Sequence, residues 1–85
     1  MSIEDDFISR CAHFGLATPS KERLYVARQA CANPVPFRPE KIVQLAQNDG
    51  TQVSRSTVYR TLNMLVLVGM VVKDGDYFRR EVTKP

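Results

Sequence analysis

A polar stripe near the middle of this 85-residue chain carries the side chains best suited to chemistry. Ser56, Arg60 and Asn63 recur at the spacing of one face of an α-helix. A guanidinium can donate two parallel hydrogen bonds to guanine O6 and N7, and a carboxamide can pair with the edge of adenine. The pattern therefore indicates contact with nucleobases, although capping or simple exposure to solvent stays open for Asn63.

The other side of the same segment is apolar. Val58, Leu62 and Leu65 fall together when successive residues are placed 100° apart. Ser54 precedes them and is a favoured N-cap residue, while Gly69 follows as a stop. The sequence therefore predicts a helix over about 55–68 that packs on a core with one face and exposes the other.

Tyr59 lies on one flank of this predicted helix, and two roles are open for it. Its ring edge can contact a thymine methyl group while its hydroxyl reaches a phosphate. It can instead pack on the preceding helix. Met64 lies on the other flank, and Val66 and Leu67 follow it near the helix end. These three apolar residues are candidates for contact with a second copy of the chain or a protein partner.

Three amphipathic helices are predicted before this segment. The first covers about 3–14 after a Ser2 cap, with acids in its first turn. The second begins at Thr18-Pro19, a capping hydroxyl followed by proline, and ends before Asn33 because the residue before a proline avoids helix. The third begins near Pro39 and ends at Asn48-Asp49-Gly50.

A β-hairpin is predicted after the polar helix. Residues 70–73 are rich in strand formers, and Asp74-Gly75 is a strong hairpin signal. Residues 77–82 then alternate, which places Arg79 and Arg80 on opposite faces. Four helices followed by a two-stranded wing form a mainly α winged helix-turn-helix fold, here one domain over residues 1–85. Candidate DNA contacts are Ser54, Arg55, Ser56, Thr57, Tyr59, Arg60, Asn63, Lys73, Arg79 and Arg80.

Composition limits the classes of function. The net charge is +3 with a pI near 9.1, and this mild basicity is weak evidence for an acidic partner. The single histidine and four dispersed glycines favour neither a catalytic triad nor a phosphate-binding loop. Cys11 and Cys31 fall on apolar stripes without zinc-site spacing, so we expect core packing. We expect a cytoplasmic protein that is not an enzyme, with no metal, cofactor, small-molecule substrate or membrane partner.

The run Ser56-Thr57-Val58-Tyr59-Arg60-Thr61-Leu62-Asn63-Met64-Leu65, followed by Gly69-Met70-Val71, closely resembles the DNA-binding domain of the ferric uptake regulator family. Phe14-Gly15-Leu16 with Thr18-Pro19, and Pro39-Glu40-Lys41-Ile42, resemble its second- and third-helix starts. The resemblance implies a winged helix bound to duplex DNA. It also implies that Tyr59 and Arg60 contact bases, with Ser56 and Thr57 near phosphates.

The sequence departs from this family in three respects. Family members continue into a dimerisation domain with a histidine-rich metal sensor, whereas this chain has one histidine and no CxxC, so we expect no metal response. Ala17 replaces a basic residue that the family uses in the minor groove, and Val66 and Leu67 replace typical acids. Two functions therefore stay open: DNA-binding transcriptional regulation, or protein interaction through Met64, Val66 and Leu67. It is also open whether a longer polypeptide once contained these residues.

Overall fold

The computed structural model describes residues 2–81 and confirms the predicted fold class. Four helices are followed by a two-stranded antiparallel hairpin. No helix within the described range is both long and apolar enough to cross a membrane. The elements are α1 (Ile3–His13), α2 (Lys21–Ala32), α3 (Pro39–Asp49), α4 (Arg55–Leu67), β1 (Val71–Asp74) and β2 (Tyr77–Arg80).

Serine side chains cap three of these helices. The hydroxyls of Ser2 and Ser54 accept backbone hydrogen bonds at the starts of α1 and α4, as predicted. The predicted start of the second helix at Thr18-Pro19 is wrong, because the cap of α2 is Ser20, whose Oγ accepts from the Arg23 amide at 3.3 Å. Pro19 is buried in the approach to the helix and Ser20 is extended, so the chain turns helical only at Lys21.

The connection from α3 to α4 is short and has a defined geometry. Gly50 takes a φ of 72°, and its amide donates to the Gln47 carbonyl at 3.2 Å. The Thr51 amide then donates to the Ala46 carbonyl at 2.9 Å. This pair of bonds is a Schellman motif, which needs a left-handed residue that glycine adopts without strain. The motif stops α3 so that α4 can begin after Ser54.

The wing is a hairpin whose turn lies one residue later than the sequence indicated. β1 and β2 pair from Val71↔Arg80 to Asp74↔Tyr77, which leaves Gly75 and Asp76 as the two turn residues. Gly75 has a φ of 63°, whereas the φ of Asp76 is not positive. This combination is typical of a type II′ turn. The last residue of the predicted wing, Val82, lies outside the described residues.

A third segment joins the wing, and no pattern in the sequence predicts it. The amide of Phe37 donates to the Phe78 carbonyl at 2.9 Å, and the amide of Phe78 donates back at 2.8 Å. The two rings are stacked with centroids 6.4 Å apart. The segment between α2 and α3 is therefore fixed against β2, which places the start of α3 beside the wing.

One hydrophobic cluster joins the helices and the wing. Val58, Leu62 and Leu65 of α4 are fully buried in it, as the helical stripe predicted. Cys11 and Cys31 are buried free thiols, which confirms their predicted packing role. Thr61 is also fully buried, and its hydroxyl donates a hydrogen bond to the Thr57 carbonyl at 2.7 Å, so this buried polar group has a partner. Other members of the cluster are Phe7, Tyr25, Val26, Ala27, Ala30, Phe37, Ile42, Ala46, Val68, Met70, Val71 and Phe78.

Candidate nucleic-acid interface

The solvent-facing side of α4 carries the predicted polar stripe. Ser56, Arg60 and Asn63 are all exposed, while the opposite face of the helix is buried in the core. At 1.5 Å per residue the thirteen residues of α4 form a rod of roughly 20 Å. The helix contains two arginines and no acid, so this face presents positive charge and hydrogen-bonding groups together.

The start of α4 has a capping arrangement that uses two of the predicted contact residues. The Ser54 Oγ accepts from the Thr57 amide at 3.1 Å and lies 2.9 Å from the Thr57 hydroxyl oxygen. These hydroxyls are therefore largely committed to each other. Arg55 and Ser56 are exposed beside them, at the positive end of the helix dipole. The remaining amides of the first turn and these two side chains suit a phosphate.

Tyr59 bridges α4 and α3 while staying accessible. Tyr59 is 39% exposed, and its hydroxyl oxygen lies 3.4 Å from each carboxylate oxygen of Glu40. The packing role considered for Tyr59 is therefore present, since its hydroxyl contacts the third helix, while the partly exposed ring stays accessible to a ligand. Glu40 occupies the first turn of α3, so the helix start fixes where this contact forms.

A cleft of about 220 Å³ lies between α4 and the wing. It brings together three predicted contact residues, Tyr59 and Asn63 from α4 and Lys73 from β1. The Lys73 ammonium lies 5.9 Å from the centre of the Phe78 ring, which is opposite it in the hairpin register. The wing face that carries Lys73 therefore borders the exposed side of α4.

The cleft also contains charged residues that the sequence did not single out as site residues. Arg38 and Glu40 come from the start of α3, and Asp76 comes from the turn of the wing. The Arg38 guanidinium lies 5.1 Å from the centre of the Tyr77 ring. With Lys73 the cleft holds two cations and two carboxylates, so its formal charges balance. Nothing in the local sequence indicated this grouping, because the Phe37 pairing with β2 creates it.

The wing arginines occupy a different surface. The Arg80 guanidinium donates to the Cys31 carbonyl at 3.4 Å, which anchors it to the end of α2. Arg79 and Arg80 both line a groove of about 400 Å³ formed with residues 31–36. The structure therefore does not bring these two arginines to the cleft that contains Lys73, Tyr59 and Asn63.

The three apolar candidates for a partner contact are not equally available. Met64 is half-buried and packs against the core cluster, whereas Leu67 is 56% exposed and Val66 36% exposed. Met64 and Val66 lie on opposite flanks of α4, because two residues of helix turn through about 200°. The accessible apolar surface at this helix end is therefore mainly Leu67 with Val66.

Within residues 2–81, no group of three or more histidine, cysteine or acidic side chains is placed to hold a metal ion. Neither a family model nor a curated protein sequence matches the chain. Solved structures do resemble it. The ferric uptake regulator from Pseudomonas aeruginosa, determined with manganese, superposes with a TM-score of 0.75 at 23% sequence identity over 96% of this chain.

A second similar structure is the ferric uptake regulator of Vibrio cholerae, with a TM-score of 0.67 and 21% identity over 87% of this chain. This chain spans 63% of the length of the first protein and 60% of the second. At this identity the similarity establishes the architecture. The four helices and the two-stranded wing therefore have the winged-helix fold found in the amino-terminal domain of ferric uptake regulators.

Proposed function

We propose that this chain is a small transcriptional regulator that binds duplex DNA, with α4 in the major groove and the wing against the backbone. The observation that carries the proposal is the exposed, acid-free face of α4 with Ser56, Arg60 and Asn63. A major groove about 12 Å wide accepts an α-helix, and these side-chain types pair with base edges. The Vibrio cholerae protein has DNA-binding domains, which supports the proposal.

The proposed contacts divide by chemistry. Arg60 and Asn63 contact base edges, since a guanidinium and a carboxamide can each form two directed hydrogen bonds. Arg55 and Ser56 contact phosphates at the start of α4, where the helix dipole attracts an anion. Lys73 contacts a phosphate from the wing side of the cleft. A single winged helix buries a small interface, so specific binding requires two copies or a protein partner.

A titration of the chain with labelled random-sequence duplex DNA at several salt concentrations tests the proposal. We expect affinity to fall steeply with salt, because bound lysines and arginines release counterions from DNA. On a selected site, Arg60→Ala should weaken binding by roughly 5- to 150-fold, the equivalent of a bidentate base contact. Arg60→Lys should recover little of that loss, because an ammonium cannot form the same fork of hydrogen bonds.

Arg28→Ala is the matched control. Arg28 is an exposed arginine on α2, and its guanidinium lies 3.7 Å from a Glu4 carboxylate oxygen of α1. Its replacement removes the same charge at a distance from the exposed face of α4. Equal losses for Arg28→Ala and Arg60→Ala would show binding by net charge alone, and an absence of salt-sensitive binding would contradict the proposal.

A protein-interaction role through Met64, Val66 and Leu67 is less well supported. The packing of Met64 against the core leaves two accessible apolar side chains at the end of α4. Such a patch is smaller than the surface that most stable protein interfaces bury. We therefore propose that Leu67 and Val66 contribute to self-association of a DNA-binding chain rather than define a separate function.

A further inference from the structure

The Tyr59–Glu40 contact determines which hydrogen bonds Tyr59 can offer to a ligand. A phenolic hydroxyl carries one proton, and an ionised carboxylate only accepts hydrogen bonds. Because the hydroxyl oxygen lies 3.4 Å from both carboxylate oxygens, its proton points between them. These distances exceed the roughly 2.7–2.8 Å of a strong O–H···O bond, so the bond is weak: it favours a proton directed at Glu40 and leaves the hydroxyl oxygen accessible.

In this favoured orientation the hydroxyl presents its lone pairs to an approaching base. In the major groove adenine and cytosine offer amino donors, whereas guanine and thymine offer carbonyl acceptors. The Tyr59 oxygen can accept from an amino group but opposes a carbonyl oxygen. It opposes a phosphate oxygen for the same reason, so the phosphate contact expected from the sequence does not fit this geometry.

We infer that Glu40 is a positioning residue that makes Tyr59 select an amino-bearing base, adenine or cytosine, on the contacted strand. The inference deepens the proposed function and rests on it. Asn63 lies in the same cleft one helical turn from Tyr59, so the two side chains face neighbouring bases. The Glu40 carboxylate also disfavours a phosphate at this point, which directs the Tyr59 tip toward the bases.

Selection of bound sites from a randomised duplex library tests the inference. With the parent chain we expect one base position at which adenine or cytosine exceeds guanine or thymine by on the order of fivefold, the value of one net hydrogen bond. Tyr59→Phe removes the hydroxyl and should abolish the preference at that position alone. Glu40→Gln removes the charge and offers the Tyr59 hydroxyl either an acceptor or a donor, so the phenolic proton is no longer held in one direction and the preference should fall toward parity.

The combined Glu40→Gln, Tyr59→Phe variant separates positioning from a direct effect of the carboxylate. It should behave as Tyr59→Phe alone, because Glu40 acts on the base through the hydroxyl. Glu22→Gln is the matched control, since Glu22 is also the second residue of its helix and lies outside the cleft. It should leave every base preference unchanged.

Three results would overturn the inference. In the first, the chain binds duplex DNA but prefers thymine at this position, and both Glu40→Gln and Tyr59→Phe keep that preference. This result would refute selection through the hydroxyl without contradicting DNA binding. Loss of all site selection by Glu40→Gln, with no such effect from Tyr59→Phe, would show that Glu40 acts independently of Tyr59. A parent chain that binds no duplex would overturn the proposed function and this inference together.

Discussion

The hydroxyl of Tyr25 on α2 donates a hydrogen bond to the Asp49 carboxylate at the end of α3, with 2.6 Å between the two oxygens. Asp49 is the last residue of α3 and immediately precedes the Gly50 turn. The bond therefore holds the helix that precedes α4 against a buried part of α2. It connects the stability of the core with the placement of the exposed face of α4.

This bond predicts a loss of stability at high pH. Burial, followed by the hydrogen bond and the negative charge of Asp49, raises the pKa of Tyr25 from 10.0 to about 12. Because the folded-state value lies above the unfolded value, the contribution is complete below about pH 10 and is lost as the pH rises through about 12. Tyr25→Phe should lower the free energy of unfolding by about 1–2 kcal/mol at neutral pH.

Urea unfolding of the parent chain and Tyr25→Phe across this alkaline range checks the prediction. The difference between the two free energies should shrink as the pH rises, since the parent loses a bond that the variant lacks. Asp49→Asn keeps an acceptor but removes the charge, and should lie between them. A difference that stays constant to the highest pH would rule out the Tyr25 hydroxyl as its source.

The wing cations should separate into one that contacts DNA and one that supports the fold. Lys73 borders the cleft with α4, whereas Arg80 donates to the Cys31 carbonyl. Lys73→Ala should reduce the slope of log affinity against log salt by about one, because one phosphate contact is lost. Arg80→Ala should leave that slope unchanged and lower the free energy of unfolding by roughly 0.5–1 kcal/mol.

Titrations at four or more salt concentrations, with urea unfolding of the same proteins, measure both quantities. Arg79→Ala should change the slope less than Lys73→Ala, because Arg79 lies in the groove with residues 31–36. A larger slope change for Arg79 than for Lys73 would place the DNA-facing surface of the wing on its other side.

Leu67 provides the prediction for self-association. It is 56% exposed at the end of α4, so burying it against a second copy removes apolar surface from water. Leu67→Glu should shift the chain toward monomer in sedimentation experiments and weaken DNA binding that requires two copies. Leu67→Met preserves apolar character and serves as the control. An unchanged oligomeric state in Leu67→Glu would exclude this patch as a self-association surface.

Local patterns in the sequence predicted most of the fold. The caps Ser2 and Ser54, the start at Pro39 and the buried stripe of α4 all follow from interactions within a few residues. The sequence pattern places the second-helix start two residues too early because Thr18 and Ser20 are both good caps, and the structure uses Ser20.

The candidate site was predictable only in part. The outward face of α4 follows from helical periodicity, so Arg60 and Asn63 could be placed from the sequence. The Glu40–Tyr59 contact joins residues nineteen positions apart, and the cleft depends on the pairing of Phe37 with Phe78. No local pattern encodes such contacts, because they form only when the segment before α3 joins the wing.

Nuclear magnetic resonance of the isotope-labelled chain, titrated with duplex DNA at low salt, tests whether α4 binds DNA through its exposed face. We expect the largest amide shift changes on that face, at Ser56, Arg60 and Asn63, with a second set at Lys73. Residues of α1 and the exposed side of α2 should change little. Changes centred on the groove of Arg79 and residues 31–36, or no changes at saturating DNA, would contradict binding through this face.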